Sequence, residues 1–304
     1  MKKLLFVVIT ALSLSIFSQN KGDDYRKEGD LEKAVVAYKL DLKESPDDYN
    51  NAYNLACAYA LMYKKDSAFH YLNKALKSNN SLWALADNDL LSLTDDVRWR
   101  TIEEQQLAKY QKEKMNLQKP IYTKQLLRLI MKDQSLDYQL DMAKRYFMKN
   151  SKAPHWYYPI AQMKKEIIED NFVKMEKLIS KNGWPTYSTV GKLAADGPLL
   201  VINHHEKEEI RIKYLSKIKG ACLKGEGSCF EYAKIQDRIL VNTDKLQLYG
   251  MQFTYDENRN LVPFPINEPE YVDERRAIIG LVPLKQYLKR KINYDFKVKQ
   301  KKSN

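Results

Sequence analysis

The sequence predicts a mainly α fold, in which a short α-solenoid is followed by a mostly helical α+β domain with one β-hairpin. Two stretches near the amino end superimpose at a spacing of 34 residues, which is typical of stacked helical hairpins. Further along the chain, apolar residues recur at helical spacing. One segment, 247–266, alternates and turns as a β-hairpin does.

Residues 1–18 have the order of a secretory signal peptide. Lys2 and Lys3 precede an apolar run from Leu4 to Phe17, and we expect cleavage after about Ser18. A membrane anchor is the less favoured alternative, because a spanning helix needs roughly 20 apolar residues. No later segment is apolar for long enough to cross a bilayer. We therefore expect an exported bacterial protein, periplasmic or secreted, without a transmembrane segment.

The internal repeat lies in residues 19–115. Ala34 and Ala68 hold the same place in successive repeats, and Tyr38 corresponds to Leu72. Small residues at these places let the two helices of a hairpin approach closely, while the large residues fill the space between hairpins. The pattern resembles the tetratricopeptide (TPR) repeat, a helix-turn-helix unit that buries its core by stacking on a neighbour.

The TPR resemblance implies a groove that binds a protein or peptide partner, with the polar groove candidates Asn54, Tyr59 and Lys65. Packing of the repeats against the next domain is the alternative role. The following segment, 81–102, is similar to the ending of short TPR arrays, and we interpret Trp83 and Trp99 as core fillers of a cap. A polar stretch then ends at Pro120 and places a domain boundary near 118.

The second domain, 118–292, begins with predicted helices over 122–146 and 156–179. Further helices are predicted over segments that begin near Val190, Lys207, Phe230 and Tyr271. The hairpin should have a strand from Gln247 to Tyr255, a polar turn, and a strand from Leu261 to Ile266.

Five short motifs in this domain carry a second resemblance: GWP at 183–185, VG at 190–191, DR at 237–238, QLYGMQF at 247–253 and RRAIIGL at 275–281. Their order and spacing resemble a bacterial domain family of unknown function, over about 120–290. This chain has Met251 where YGTQ is usual, and it doubles the family's histidine. The resemblance implies no established activity, although members often occur in exported proteins.

The polar residues of this domain suggest an acid-base site with an anion-binding surround. A histidine transfers protons near neutral pH, a carboxylate orients it, and arginines grip anions. The catalytic candidates are His204, His205 and Asp237, and the ligand-binding candidates are Arg238, Gln252, Arg275 and Arg276. We favour the structural alternative, in which these side chains cap helices and bond hairpin carbonyls. The sequence has no serine elbow, phosphate loop or HExxH motif, and we expect neither a metal nor another cofactor.

The cysteines and the charge leave alternatives open. Cys57 is expected to be a buried thiol, whereas Cys222 and Cys229 either remain thiols or close a short disulfide loop. The formal net charge is +12, and much of it lies in and just before a basic tail, 293–304. That tail either attracts an anionic envelope component or, as we favour, is a solvated, disordered end. No aromatic-interleaved nucleic-acid motif accompanies its lysines, so the tail does not indicate nucleic-acid binding.

Two functional hypotheses follow. In the favoured one, the protein is an exported interaction or scaffold protein whose repeats and second domain hold a partner. In the alternative, the second domain is a hydrolase-like enzyme that the repeats position.

Overall fold

A computed structural model describes residues 21–302 of the 304 residues in the chain. The predicted signal peptide lies outside the described residues. The described chain forms two compact units, 21–77 and 78–302. Both are built mainly of helices, and the second contains a two-stranded antiparallel hairpin. The prediction of a mainly α fold with a small β element is confirmed.

The first unit consists of four helices, in which consecutive helices pack together: α1 (Lys21–Glu28), α2 (Leu31–Glu44), α3 (Tyr49–Leu61) and α4 (Lys65–Leu76). Aspartates set two of the helix starts. The carboxylate of Asp30 accepts from the Lys33 amide at 3.0 Å, and that of Asp48 accepts from the Asn51 amide at 2.8 Å. These bonds satisfy donors that a helix leaves unpaired at its first turn.

Two pairs of equivalent residues of the 34-residue repeat have the same burial in the first unit. Ala34 in α2 and Ala68 in α4 are each 0% exposed, and so are Tyr38 and Leu72. The small side chains therefore lie where neighbouring helices meet, as the spacing predicts. Membership of the TPR class stays a prediction.

The second unit begins with two 3₁₀ segments, Trp83–Leu85 and Asn88–Leu93, and continues with the helices α5 (Val97–Glu113), α6 (Pro120–Asp133), α7 (Asp137–Asn150), α8 (Tyr157–Asn182), α9 (Tyr187–Val190), α10 (Lys192–His204), α11 (Glu208–Leu223) and α12 (Cys229–Asn242). After these come strands β1 (Phe253–Tyr255) and β2 (Leu261–Pro263), a 3₁₀ segment at Pro269–Tyr271, and helices α13 (Val272–Ile278) and α14 (Leu284–Ile292).

The two tryptophans interpreted as core fillers have different environments. Trp99 is 1% exposed, and its indole N–H donates to the buried Glu103 at 3.1 Å, so this prediction is confirmed. The prediction for Trp83 is wrong, because its side chain is 45% exposed. Its indole N–H donates to Asp87, four residues later, which holds the ring at the surface.

Helix α10 is the centre of the second unit, since it packs on α6, α8, α11 and α12. It packs most extensively on α6, and Gly197 faces that helix. A Cβ at this position would lie 3.2 Å from the Leu126 carbonyl oxygen and 3.2 Å from Ile130. The absence of a side chain therefore allows the two helices to come together, and their carboxyl-terminal ends bring Asp133 to His204.

The hairpin has the predicted turn but shorter strands. Phe253 pairs with Pro263, Thr254 with Val262, and Tyr255 with Leu261. The predicted strand from Gln247 to Tyr255 is wrong over its first six residues, because residues 247–252 form a loop. Gln247 makes only an isolated parallel bridge to Ile266.

A disulfide joins Cys222 in α11 to Cys229 at the start of α12, and Cys57 is buried. The end of the chain is not a disordered tail as far as residue 302, which corrects the favoured prediction. Phe296 is buried, and the Lys301 amide donates to the Glu270 carbonyl at 2.7 Å. Within residues 21–302, every helix is too short or too polar to span a bilayer.

Candidate functional site

Asp237 in α12 holds the loop 247–252 by hydrogen bonds to its backbone. Its side chain is 0% exposed, and its two carboxylate oxygens accept from three backbone amides, those of Leu248, Tyr249 and Met251, at 2.8–3.1 Å. Burial raises the pKa of Asp237 to about 6, while the three amide donors act in the opposite direction. The carboxylate thus replaces the strand partner that this backbone lacks.

Two arginines hold the carbonyl groups of the same loop. The Arg275 guanidinium donates from Nε to the Leu248 carbonyl at 3.1 Å and also reaches the Asn267 carbonyl. Arg276 is 1% exposed and donates to the Tyr249 carbonyl and, at 2.7 Å, to the Val282 carbonyl. Burial lowers the pKa of Arg276. The hydrogen bonds of both arginines therefore go mainly to backbone carbonyls.

Glutamines complete the loop. The Gln252 side chain donates to the Lys234 carbonyl at 2.9 Å, and the side chain of the buried Gln247 bonds the backbone of both Gln252 and Phe264. Gly250 has φ +72°, and a Cβ there would lie 2.5 Å from Leu284. Four predicted site residues, Asp237, Gln252, Arg275 and Arg276, therefore converge on one loop, where their polar atoms support the backbone.

His204 is placed in a different cluster, with two charged residues that the sequence reasoning did not include in a site. Its Nδ1 lies 2.6 Å from Oδ2 of Asp133, a carboxylate that is 0% exposed. The His204 side chain is 32% exposed, so its ring also reaches solvent. Oδ1 of Asp133 is buried and has no hydrogen-bond partner among the described residues. This is an imidazole held by a buried carboxylate, the arrangement that acid-base chemistry uses.

Lys164 closes the other side of this cluster. Its ammonium contacts the carbonyls of Asp133 and Ser135 at the end of α6, and it lies 2.6 Å from Oδ1 of Asp137. A cation at a helix carboxyl terminus offsets the partial negative charge of the unpaired carbonyls. Asp133, Lys164 and His204 come from three helices, so only the tertiary packing brings them together.

His205 points into the protein and has a structural environment. It is 3% exposed, its ring meets that of Phe172 edge to face, and its Nδ1 accepts from the Lys207 amide at 3.1 Å. Its Nε2 lies 3.2 Å from Oε2 of Glu169. Of the doubled histidines, His204 is thus the one with an accessible edge.

Arg238, the remaining predicted ligand-binding residue, secures the end of α10. It donates to the Asn203 carbonyl at 2.9 Å, and the buried Arg211 bonds the same carbonyl and that of His205. Burial lowers the pKa of Arg238. These two guanidiniums hold the chain next to His204, whereas the neighbouring Asp237 is bonded to the loop 247–252.

A second titratable group that sequence reasoning missed is Asp196 in α10. The Tyr187 hydroxyl donates to its Oδ1 at 3.2 Å. Burial raises the pKa of Asp196 to about 6, and the nearby Glu231 carboxylate acts in the same direction. Perturbed carboxyls are common at functional sites, but this one has no histidine partner.

A basic cleft of about 310 Å³ lies between α6 and α8. Its lining combines two leucines and a glutamine with four cations, Arg128, Lys132, Lys174 and Lys177. Burial, and then the nearby Lys174 ammonium, lower the pKa of Lys132. Arg128 is paired with Glu103, and Lys174 with Asp170.

The predicted groove residues of the repeats differ in accessibility. Tyr59 is buried and stacks on Tyr71, with ring centroids 5.8 Å apart. The Asn54 side chain donates to Asp23 at 3.0 Å. Lys65 is half-exposed and lies over the ring of Tyr63, which is an exposed residue. The accessible surface here is therefore the one around Lys65.

A family model described as a family of unknown function (DUF6624) matches residues 122–299, more than half of the chain. The match contains the His204–Asp133 pair and the whole loop network around Asp237. It also reaches into the basic end of the chain. No curated protein and no solved structure matches the chain.

Proposed function

The chain belongs to the DUF6624 family of unknown function, and from that premise we propose that it is an exported scaffold protein, in which TPR hairpins bind a protein or peptide partner. The observation that carries the proposal is the equal, complete burial of Ala34 and Ala68, one repeat apart. Repeat units of this kind stack to form an extended binding surface. An activity in the second unit is not required for this role.

The disulfide supports the exported part of the proposal. Cys222 and Cys229 are paired in the structure, and disulfides persist in oxidising compartments such as the periplasm. The N-terminal sequence favours the same location, with cleavage after about Ser18. Mass spectrometry of the protein from a cell-envelope fraction should find a chain that begins near Gln19, with both cysteines resistant to thiol alkylation. An uncleaved cytoplasmic protein would contradict export.

The experiment for the repeats is a quantitative pull-down from envelope extract. The intact chain is compared with Lys65→Glu, at the accessible surface near Tyr63, and with Lys74→Glu, an exposed lysine of the same helix. We expect a specific partner whose recovery falls about tenfold with Lys65→Glu, because a charge reversal at a binding surface costs at least about 1.4 kcal/mol. Lys74→Glu should leave recovery unchanged. Equal recovery from a chain that lacks residues 19–115 would remove the repeats from partner binding.

One observation favours the enzyme as a second candidate: the 2.6 Å contact between His204 Nδ1 and the buried Asp133 carboxylate. In this function His204 accepts a proton from water at Nε2, while its Nδ1–H donates to Asp133, which orients the ring and stabilises the imidazolium. The hydroxide that forms attacks the carbonyl carbon of an ester or amide, and the imidazolium returns its proton to the departing alcohol or amine. The sequence hypothesis paired the histidine with Asp237, whose carboxylate instead accepts from the backbone amides of the loop 247–252.

Hydrolysis of p-nitrophenyl acetate tests the second candidate. Wild-type protein should exceed His204→Ala and Asp133→Asn by on the order of 100-fold, the usual contribution of a positioned base. His155→Ala, at an exposed histidine elsewhere, should match the wild type. Equal rates in all four proteins, with circular dichroism showing them folded, would reject acid-base catalysis at His204.

A further inference from the structure

The second half of α7 is exposed on every face. Each residue from Lys144 to Asn150 is exposed, and in the whole of α7 only Ala143 is buried. A surface helix of a globular protein ordinarily packs one apolar stripe against its neighbours. Every residue in this part of α7 is therefore available, at least in part, to something outside the chain.

Large apolar side chains accumulate on this helix and just after it. Met148 is 76% exposed and Tyr158 is 71% exposed. Together with these two, four further exposed residues lie within 146–163, namely Tyr146, Phe147, Trp156 and Met163. Single exposed apolar residues are ordinary, but a cluster of this kind indicates an interaction surface.

The same segment is strongly basic. Residues 144–165 contain six cations, no aspartate and no glutamate. Lys164 and Lys165 are paired with Asp137 and Glu206. The other four, Lys144, Arg145, Lys149 and Lys152, are outside the ion pairs of the described residues and lie in the same segment as the exposed aromatic rings.

We propose that this basic-aromatic surface, Lys144–Met163, docks on an anionic lipid bilayer. Uncompensated cations are attracted to anionic headgroups, and tyrosine and tryptophan rings are stable at the boundary between headgroups and acyl chains. Phe147 and Met148 enter that boundary beside the lysines, as in helices that lie in a membrane interface. The partner is inferred from charge complementarity and from this combination of side chains, independently of the scaffold role and of His204.

The basic end of the chain lacks this combination. Its cations Lys285, Arg290 and Lys291 are exposed, but the rings of Tyr287 and Phe296 are buried and Tyr294 is only half-exposed. Lys289 and Lys301 are paired with Asp295 and Glu270. Equal charge without exposed rings makes this region a matched control.

The test is cosedimentation of the full protein with vesicles of phosphatidylcholine and phosphatidylglycerol, against vesicles of phosphatidylcholine alone. We expect binding to the anionic vesicles only. Removing three cations in Lys144→Gln/Arg145→Gln/Lys149→Gln should lower the partition coefficient roughly 100-fold, since each cation at an anionic surface contributes about a factor of five. Lys285→Gln/Arg290→Gln/Lys291→Gln removes the same charge and should have an effect of less than about fivefold.

Tryptophan fluorescence and an apolar variant complete the test. Anionic vesicles should shift the emission of the wild type to shorter wavelength, and Trp156→Phe should remove that shift. Phe147→Ser/Met148→Ser keeps every cation and should lower partition at least about tenfold, because two apolar side chains then leave the interface. Three results would overturn the proposal: no binding to anionic vesicles, an equal loss in the two charge variants, or capture of an acidic protein through this surface without any vesicle binding.

Discussion

Asp133 and Asp237 are both completely buried, yet the two regions around them use a carboxylate differently. Asp237 accepts from three backbone amides of one loop, and both of its oxygens are occupied. Asp133 accepts from one imidazole, and its second oxygen is without a hydrogen-bond partner among the described residues. The destination of the hydrogen bonds, rather than residue type or burial, distinguishes a group that builds the fold from one that is available for chemistry.

The largest expected effect is at Asp237. Replacing it in Asp237→Ala leaves three amides of a buried loop without an acceptor, and each unsatisfied buried donor costs about 1–3 kcal/mol. We expect the free energy of unfolding to fall by about 4 kcal/mol, measured by urea denaturation. Arg238→Ala, at the adjacent and less buried position, should cost about half as much. A loss below about 1 kcal/mol at Asp237 would show that its hydrogen bonds do not stabilise the fold, and the contrast with Asp133 would then be wrong.

A smaller effect is expected from the pH dependence of Asp196. Because burial raises the pKa of Asp196 to about 6, above its usual 3.8, the folded state favours the protonated form. Its stabilisation is complete below about pH 4 and is lost as the pH rises through about 6. The unfolding free energy of the wild type, relative to Asp196→Asn, should therefore fall by about 2 kcal/mol between about pH 4 and pH 7.5. A relative stability that rises over this range would show a lowered pKa instead.

Asp133→Asn tests whether Asp133 contributes less than Asp237 to the stability of the fold. The amide keeps the shape of the carboxylate and still accepts one hydrogen bond from His204, so we expect a stability loss of only about 1 kcal/mol in urea denaturation. The same substitution at Asp237 exchanges an acceptor for a donor next to three N–H groups and should cost clearly more. Equal losses in the two variants would show that both aspartates are structural.

The smallest effect belongs to α7. Phe147→Ser should change the free energy of unfolding by no more than about 0.5 kcal/mol, because Phe147 is exposed at the surface of the protein. Phe172→Ser, at a buried phenylalanine of α8, is the contrasting control. A large loss at Phe147 would mean that the free protein covers this surface in solution.

The sequence was sufficient for the elements that depend on local pattern. The apolar helix that ends at His204, the turn of the hairpin and the burial of Ala34 and Ala68 follow from periodicity and small residues. The length of the first strand did not follow, because residues 247–252 bond the side chains of Asp237 and Gln247 in place of a neighbouring strand. Alternation along the chain cannot reveal such a partner.

The candidate site shows the same limit at longer range. His204 was identified as an acid-base residue, but its carboxylate lies 71 residues away in α6, where Asp133 follows Lys132 at the end of the helix and is marked by no motif. Trp83 was misassigned because size and hydrophobicity do not report which way a 3₁₀ turn faces. The rings of Tyr146 and Phe147 in α7 became informative only once their solvent exposure was known.

The position of His204 depends on the lack of a Cβ at Gly197, two helical turns earlier in α10. A methyl group in Gly197→Ala would meet the Leu126 carbonyl at 3.2 Å and act as a wedge between the crossing helices. Seven residues of helix, about 10 Å, separate that crossing from His204. Tilting α10 by a few degrees at this crossing would lengthen the imidazole–carboxylate contact by several tenths of an ångström. The distance between His204 and Asp133 therefore depends on a glycine that takes no part in their chemistry.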